Sequence, residues 1–172
     1  MHGCKSMIFS RLFSRNGPRP EALYAAIVAA ARQPFFYAEW GVPDTVDGRF
    51  DMIVLHLYLV MDRLRPDHLK FREALSELFF ADMDRSIREM GAGDLSVGKK
   101  VRRMAEAFGG RVEAYENARA KGVEEVEEAL SRNVYAGKPG RVSVLRDWME
   151  HAIKALAKQD ADKIIAGQVV FS

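Results

Sequence analysis

Residues 50–64, FDMIVLHLYLVMDRL, decide the fold class. Ile53, Val54, Leu57, Tyr58, Met61 and Leu64 recur at intervals of three and four, which lays one apolar stripe along an α-helix. The longest apolar run, Met52 to Met61, has ten residues with His56 among them, whereas a bilayer span takes about 20. The segment therefore predicts a core helix, and no transmembrane helix is encoded. Pro66, which cannot continue a helix, ends it.

Working outward, the same period continues. A second helix is expected from Asp67, a candidate N-cap, to Met90, with Phe71, Leu75, Leu78, Phe79, Met83, Ile87 and Met90 on its inner stripe. Gly91 and Gly93 then break the pattern, and either offers the positive φ that closes helices. A third helix follows Ser96, carrying Val97, Val101, Met104, Ala105, Phe108, Val112 and Tyr115. The adjacent Gly109 and Gly110 predict a kink or break in it, since each costs about 1 kcal/mol relative to Ala in a helix interior. Shorter helices are predicted over Glu21–Ala31, Val123–Tyr135 and Val142–Lys158, the last after the turn Gly137-Lys138-Pro139-Gly140.

No alternating strand pattern of useful length occurs, and Val169-Val170-Phe171 is too short to decide. The fold class is all-α: a single-domain helical bundle of about six or seven helices. The longest irregular connection, residues 33–49 (QPFFYAEWGVPDTVDGR), reads through its aromatics as a cap on the bundle.

With 172 residues, 48% of them hydrophobic, the chain suits one compact domain. One cysteine, Cys4, excludes an intramolecular disulfide framework and a Cys-rich zinc site, and fits a reducing compartment. Charge is balanced overall, 26 bases against 24 acids, but residues 1–20 hold Lys5, Arg11, Arg15 and Arg19 with no acid. We divide the chain into a basic, partly amphipathic tail (1–20) and a helical domain (21–172). No stretch reads as a secretory signal. In Met7 to Arg15 (MIFSRLFSR), Ile8, Phe9, Leu12 and Phe13 recur at helical spacing with Arg11 and Arg15 between them. That pattern suits a short helix lying on an anionic membrane, and equally docking on the protein's own body or disorder.

Few segments carry chemistry. Gly93 to Lys99 (GDLSVGK) satisfies G-x-x-x-x-G-K, yet Lys100 stands where a P-loop needs Ser or Thr, and a helix rather than a strand precedes it. Lys99, Lys100, Arg102 and Arg103 place four bases in five residues around Val101 and Met104. They suit an anionic partner, whether RNA, lipid headgroups or an acidic protein patch, or form a solvated face. Asp82, Asp84 and Glu89 could suggest a metal or acid–base cluster, but Asp82 and Asp84 point about 200° apart round a helix. Asp84 with Arg88, and Arg85 with Glu89, are spaced for ordinary i,i+4 pairs. His56, His68 and His151 are isolated, and no nucleophile or metal motif accompanies them. No catalytic residue, metal site or cofactor is expected.

The stretch Phe79 to Arg111, FFADMDRSIREMGAGDLSVGKKVRRMAEAFGGR, resembles the signature of the ubiquinol-cytochrome c chaperone family. Asp47 to Leu57, DGRFDMIVLHL, is similar to that family's D-x-x-F-D-x-x-x-L-H element, and the likeness extends from about Tyr24 to Ala118. Gly109 departs from it, standing where the family pattern has an aromatic, as in FYGR. The resemblance implies a non-enzymatic, all-helical assembly factor for ubiquinol-cytochrome c reductase, respiratory complex III. Such proteins hold newly made cytochrome b and assist its insertion and haem acquisition. In mitochondria a small helical partner protein and the ribosome's exit region take part. The short, leaderless chain looks like a bacterial member, peripheral to the cytoplasmic face of the inner membrane and in contact with anionic lipid; a eukaryotic member would sit on the matrix side. DNA is not an expected partner.

The expected partner-binding residues are Asp82, Asp84, Arg88, Glu89, Gly91, Gly93, Asp94, Lys99, Lys100 and Arg103, with the glycines shaping a turn and the charges giving register and attraction. A client with exposed apolar helices also predicts a groove edged by Met and aromatic side chains. The alternative is a helical RNA-binding or ribosome-associated module using the same bases.

Overall fold

The structure, a computed structural model, describes residues 19–91 and 93–171, with Asp94 and Leu95 as backbone only. Cys4 and the Met7 to Arg15 segment lie outside the described residues. The fold is all-α. Its helices are α1 (Glu21–Ala31), α2 (Pro34–Ala38), α3 (Val46–Arg63), α4 (Leu69–Glu89), α5 (Asp94–Lys121), α6 (Val123–Asn133), α7 (Val142–Ala157) and α8 (Ala161–Ile165). Six have eleven residues or more, and α2 and α8 have five each.

The central element is α3. The single stripe expected there is overturned: every residue from Phe50 to Val60 is buried, Met52, Leu55 and Leu59 as fully as Val54 and Leu57. A helix apolar on all sides is stable only when covered on all sides, and α1, α5 and α7 all pack against it. It also starts earlier than the stripe suggested. Thr45 caps it, its Oγ1 accepting from the Gly48 N–H at 3.1 Å. Gly48 is required there, because a Cβ would stand 2.0 Å from the Pro43 carbonyl oxygen.

Beside α3, α4 and α5 form a long antiparallel hairpin. The N-cap of α4 is His68 rather than Asp67, and α5 begins at Asp94. Phe71, Leu75, Phe79, Met83 and Ile87 are buried as expected, but Met90 is 59% exposed because the helix has ended at Glu89. The break predicted at Gly109-Gly110 does not occur, and α5 runs on for 28 residues. Both glycines lie on the exposed side of the helix, while the residues flanking them are held. The Phe108 ring meets Phe79 at 5.5 Å and Phe80 at 5.6 Å, and Arg111 Nε pairs with Asp51 Oδ1 at 2.7 Å. Burying one aromatic side chain contributes roughly 1.5–3 kcal/mol, enough to offset the propensity deficit of two glycines.

Ion pairs join α5 to α3 and its C-terminal flank. Asp51 pairs with Arg111, Arg119 Nη1 donates to Asp62 Oδ2 at 2.7 Å and to the Tyr58 hydroxyl at 3.0 Å, and Arg65, just past α3, pairs with Glu116. The Asp51 and Asp62 pairs advance together along both chains, so the two helices run parallel.

The 33–49 connection caps the bundle, with Phe36 buried and Phe35, Tyr37 and Trp40 packed on the core. The Trp40 carbonyl accepts from the Tyr135 hydroxyl at 3.2 Å and the Arg141 N–H at 3.0 Å. Val169–Phe171 forms no strand. Gln159 brackets it instead, its Nε2 donating to the Val170 carbonyl at 2.6 Å and its Oε1 accepting from the Val170 N–H at 2.9 Å.

Two glycine tests follow from this packing. Gly109→Ala and Gly110→Ala, which meet nothing within 4 Å, each raise stability by about 0.5–1 kcal/mol in denaturant melts. Gly48→Ala lowers it by more than about 1 kcal/mol, because backbone must move to admit the methyl. A destabilising Gly110→Ala would show that α5 is bent there.

Candidate functional site: the exposed end of the α4–α5 hairpin

The hairpin closes through its glycines. Gly91 adopts φ +82° and donates to the Arg88 carbonyl at 3.0 Å, ending α4 in the manner open to a residue without a Cβ. Gly93 is the N-cap of α5, and its carbonyl accepts from the Ser96 N–H at 2.8 Å and the Ser96 hydroxyl at 2.8 Å. Ile87 and Val97 are buried yet lie outside the main core, so the two helices seal their own end.

The expected partner-binding residues gather here, with one exception. Arg88, Glu89, Gly91, Gly93, Lys99, Lys100 and Arg103 are exposed, Asp84 is half-buried, and the α5 backbone begins at Asp94. Asp84 and Arg88 pair at 2.7 Å; Arg85 and Glu89 form no ion pair among the described residues. Asp82 is turned away from this surface. Half-buried, it accepts a hydrogen bond from the Tyr24 hydroxyl at 2.8 Å and so braces α4 against α1. Burial and this carboxylate together hold the Tyr24 hydroxyl well above its usual range.

Lys99, Lys100, Arg102 and Arg103 are all exposed, and none makes an ion pair or hydrogen bond among the described residues. By helical period they spread over about 160°, opposite the stripe of Val97, Val101, Met104 and Phe108. Gly93 to Lys99, tested above as a phosphate loop, is the N-cap and first turns of α5, directly after another helix.

Among the described residues, neither of the two depressions described below is edged by a Met. Met52, Met83 and Met149 are buried in the core, and Met61 and Met104 are half-buried against it. Two open depressions are lined otherwise. One, of about 800 Å³, involves Glu124, Glu127, Glu128 and Arg132 of α6; the other, of about 550 Å³, involves Arg32, Tyr37, Asp44 and Arg49.

Two buried polar groups stand out, Asp51, which escaped the reading of the residues, and His56, whose place in an apolar run marked it as a hydrogen-bonded packing residue. Asp51 sits within the apolar run, 5% exposed, with Arg111 paired to it and the Arg111 guanidinium 5.4 Å from the centre of the Phe50 ring. Burial pushes the Asp51 carboxyl up to about 7 against the pull of Arg111. A lone acid flanked by Phe50 and Met52 was the available signal, since a buried carboxyl needs a partner. Here the two segments that carry the family resemblance converge, through Phe50, Asp51, Phe79, Phe108 and Arg111. His56 is fully buried. Its Nδ1 lies 2.7 Å from the Met52 carbonyl oxygen, so that nitrogen carries the proton, while Phe36, Trp148 and Phe171 enclose the ring at 4.8–5.5 Å. Burial pulls its pKa down to about 4, and the imidazole is neutral.

A family model described as ubiquinol-cytochrome C chaperone matches residues 38–171. Among solved structures, the chain is similar to the crystal structure of the Cbp3 homolog from Brucella abortus, at 33% identity and a TM-score of 0.77, over 87% of this chain and 86% of that one. No curated protein matches.

Both buried groups predict pH effects. The folded His56 takes up its proton near pH 4 and the unfolded chain near 6.5, so this residue's contribution is present above 6.5 and lost as pH falls through that window. Measured against His56→Leu at each pH, the wild type loses about 3 kcal/mol more between pH 6.5 and 4. Asp51 has the opposite sign, favouring the fold when protonated and losing that contribution as pH rises from about 4 towards 7. Arg111→Met therefore costs about 3 kcal/mol at pH 8, where it strands a buried carboxylate, and markedly less at pH 5. Equal costs at both values would show that Asp51 stays ionised throughout.

Proposed function

The chain belongs to the ubiquinol-cytochrome c chaperone family, and on that footing we propose that it binds newly made cytochrome b and assists assembly of complex III at the membrane surface. What carries the proposal is that the family match runs through the whole hairpin whose exposed end presents Lys99, Lys100, Arg102 and Arg103 without internal partners. A surface of this kind favours adhesion. Its charges are free to attract and orient a partner, and the Gly91 and Gly93 backbone sets the shape of the turn between the helices.

A role without catalysis agrees with where the reactive groups lie. Asp51 is tied to Arg111, and His56 is enclosed by aromatic rings with its Nδ1 bonded to the backbone. Neither lines either of the two depressions. The partner-binding residues of the proposal are Asp84, Arg88, Glu89, Gly91, Gly93, Asp94, Lys99, Lys100 and Arg103, with Asp82 supporting α4 from behind. In this proposal the protein works at the membrane surface; no helix among the described residues is long and apolar enough to cross a membrane.

Affinity purification of the full chain from membranes is expected to bring down cytochrome b. Reversal of Lys99, Lys100 and Arg103 to Glu leaves helicity and melting nearly unchanged, because these side chains contact nothing in the fold, yet lowers complex III content. Unaltered complex III in the triple variant would overturn the assignment of this surface.

A further inference from the structure

The charge of the hairpin end is unbalanced. From residue 84 to residue 103 the sequence holds six bases and three acids, one of them Asp84, already paired with Arg88. The four clustered bases occupy the outer arc of α5, and Glu106, one turn further on, pairs with none of them among the described residues. Neither depression in the surface is lined by any of these bases. At the same end, Met90 projects with 59% of its surface exposed.

The molecule's acidic ridge is far away. Glu124, Glu125, Glu127 and Glu128 follow the C-terminal end of α5, and the helix from Arg103 to Lys121 spans about 27 Å. That is several times the Debye length of about 8 Å at physiological salt, so the ridge does not neutralise the basic end.

We propose that Lys99, Lys100, Arg102 and Arg103, with Met90 beside them, dock the protein on an anionic lipid bilayer. The partner is a flat array of phosphate headgroups, and two features favour it over other anions. The four bases offer charge with no aromatic among them on which nucleic-acid bases would stack. An exposed thioether at the tip enters the headgroup region at little cost, adding an apolar contact to the electrostatic one. The assignment deepens the peripheral placement proposed above by naming what the basic part of that surface touches. The remainder of the hairpin end, on the α4 side, stays available to the client.

The test is co-sedimentation of the full chain with vesicles of phosphatidylcholine alone and with roughly 30% phosphatidylglycerol added, at rising salt. Binding is expected to the anionic vesicles only and to fall with salt. Each base near such a surface contributes about five-fold to partitioning, so replacing Lys99, Lys100, Arg102 and Arg103 together by Ser lowers it by at least about 100-fold. Circular dichroism and melting should be unchanged in that variant. Equal binding of the wild type to neutral vesicles, or undiminished binding of the variant to anionic ones, overturns the proposal. So does tighter binding to a single-stranded RNA oligonucleotide than to the vesicles at equal salt, which would assign the bases to nucleic acid. The assay contains no client: failure here with cytochrome b still co-purifying removes the lipid site alone, and the reverse result removes the client reading alone.

Discussion

Burial of α3 on every side is the constraint from which the rest of the architecture follows. A helix with one apolar stripe needs one neighbour, but Met52 to Val60 present apolar side chains around the whole circumference. α1, α5 and α7 each cover part of it, and the C-terminal strap adds Phe171 over His56. His56 inside this run and Asp51 just before it then had to be accommodated without water. His56 bonds its own backbone one turn earlier, and Asp51 draws in Arg111 from α5. The Asp51–Arg111 contact, together with the packing of Phe50 and Phe108 on Phe79, thus marks the register of α5 on α3.

That register sets where the hairpin's free end lies. Phe50, Phe79 and Phe108 stack at the Asp51–Arg111 crossing, and Tyr24 bonds Asp82 on the neighbouring turn of α4. Beyond Met83 the main core receives no further residue from α4, and Ile87 with Val97 seals the tip separately. The exposed end is therefore carried on two helices anchored at a distance from it, and Lys99, Lys100, Arg102 and Arg103 are exposed there. Positions with no internal role are the ones a binding surface can use without loss of stability.

Much of this was legible in residue spacing. Glu21–Ala31 is a helix over that whole range, and the starts of α6 and α7 and the outward display of the four bases follow directly from the 3.6-residue period. Three features were not legible, for different reasons. Periodicity detects one buried face, so the all-round burial of α3 was hidden in a run whose stripe already satisfied the pattern. Propensity is local, so Gly109-Gly110 predicted a break that long-range packing of Phe108 and Arg111 prevents. Pairing is tertiary, so neither Asp51 nor Asp82 announced its partner, 60 and 58 residues away in the chain. The family likeness located the hairpin end as a unit, but only the coordinates separate Asp82, which braces α4, from the residues that face outward.

The buried and exposed charges also answer differently to their surroundings. Asp51 and His56 both favour an uncharged form inside the bundle, one by holding a proton and the other by refusing it. Between about pH 4 and 6.5 their contributions to stability run in opposite directions, the first falling and the second rising with pH, so they offset one another. Lys99, Lys100, Arg102 and Arg103 have no such coupling to the core. Their field reaches outward into solvent, where salt screens it over about 8 Å at physiological ionic strength.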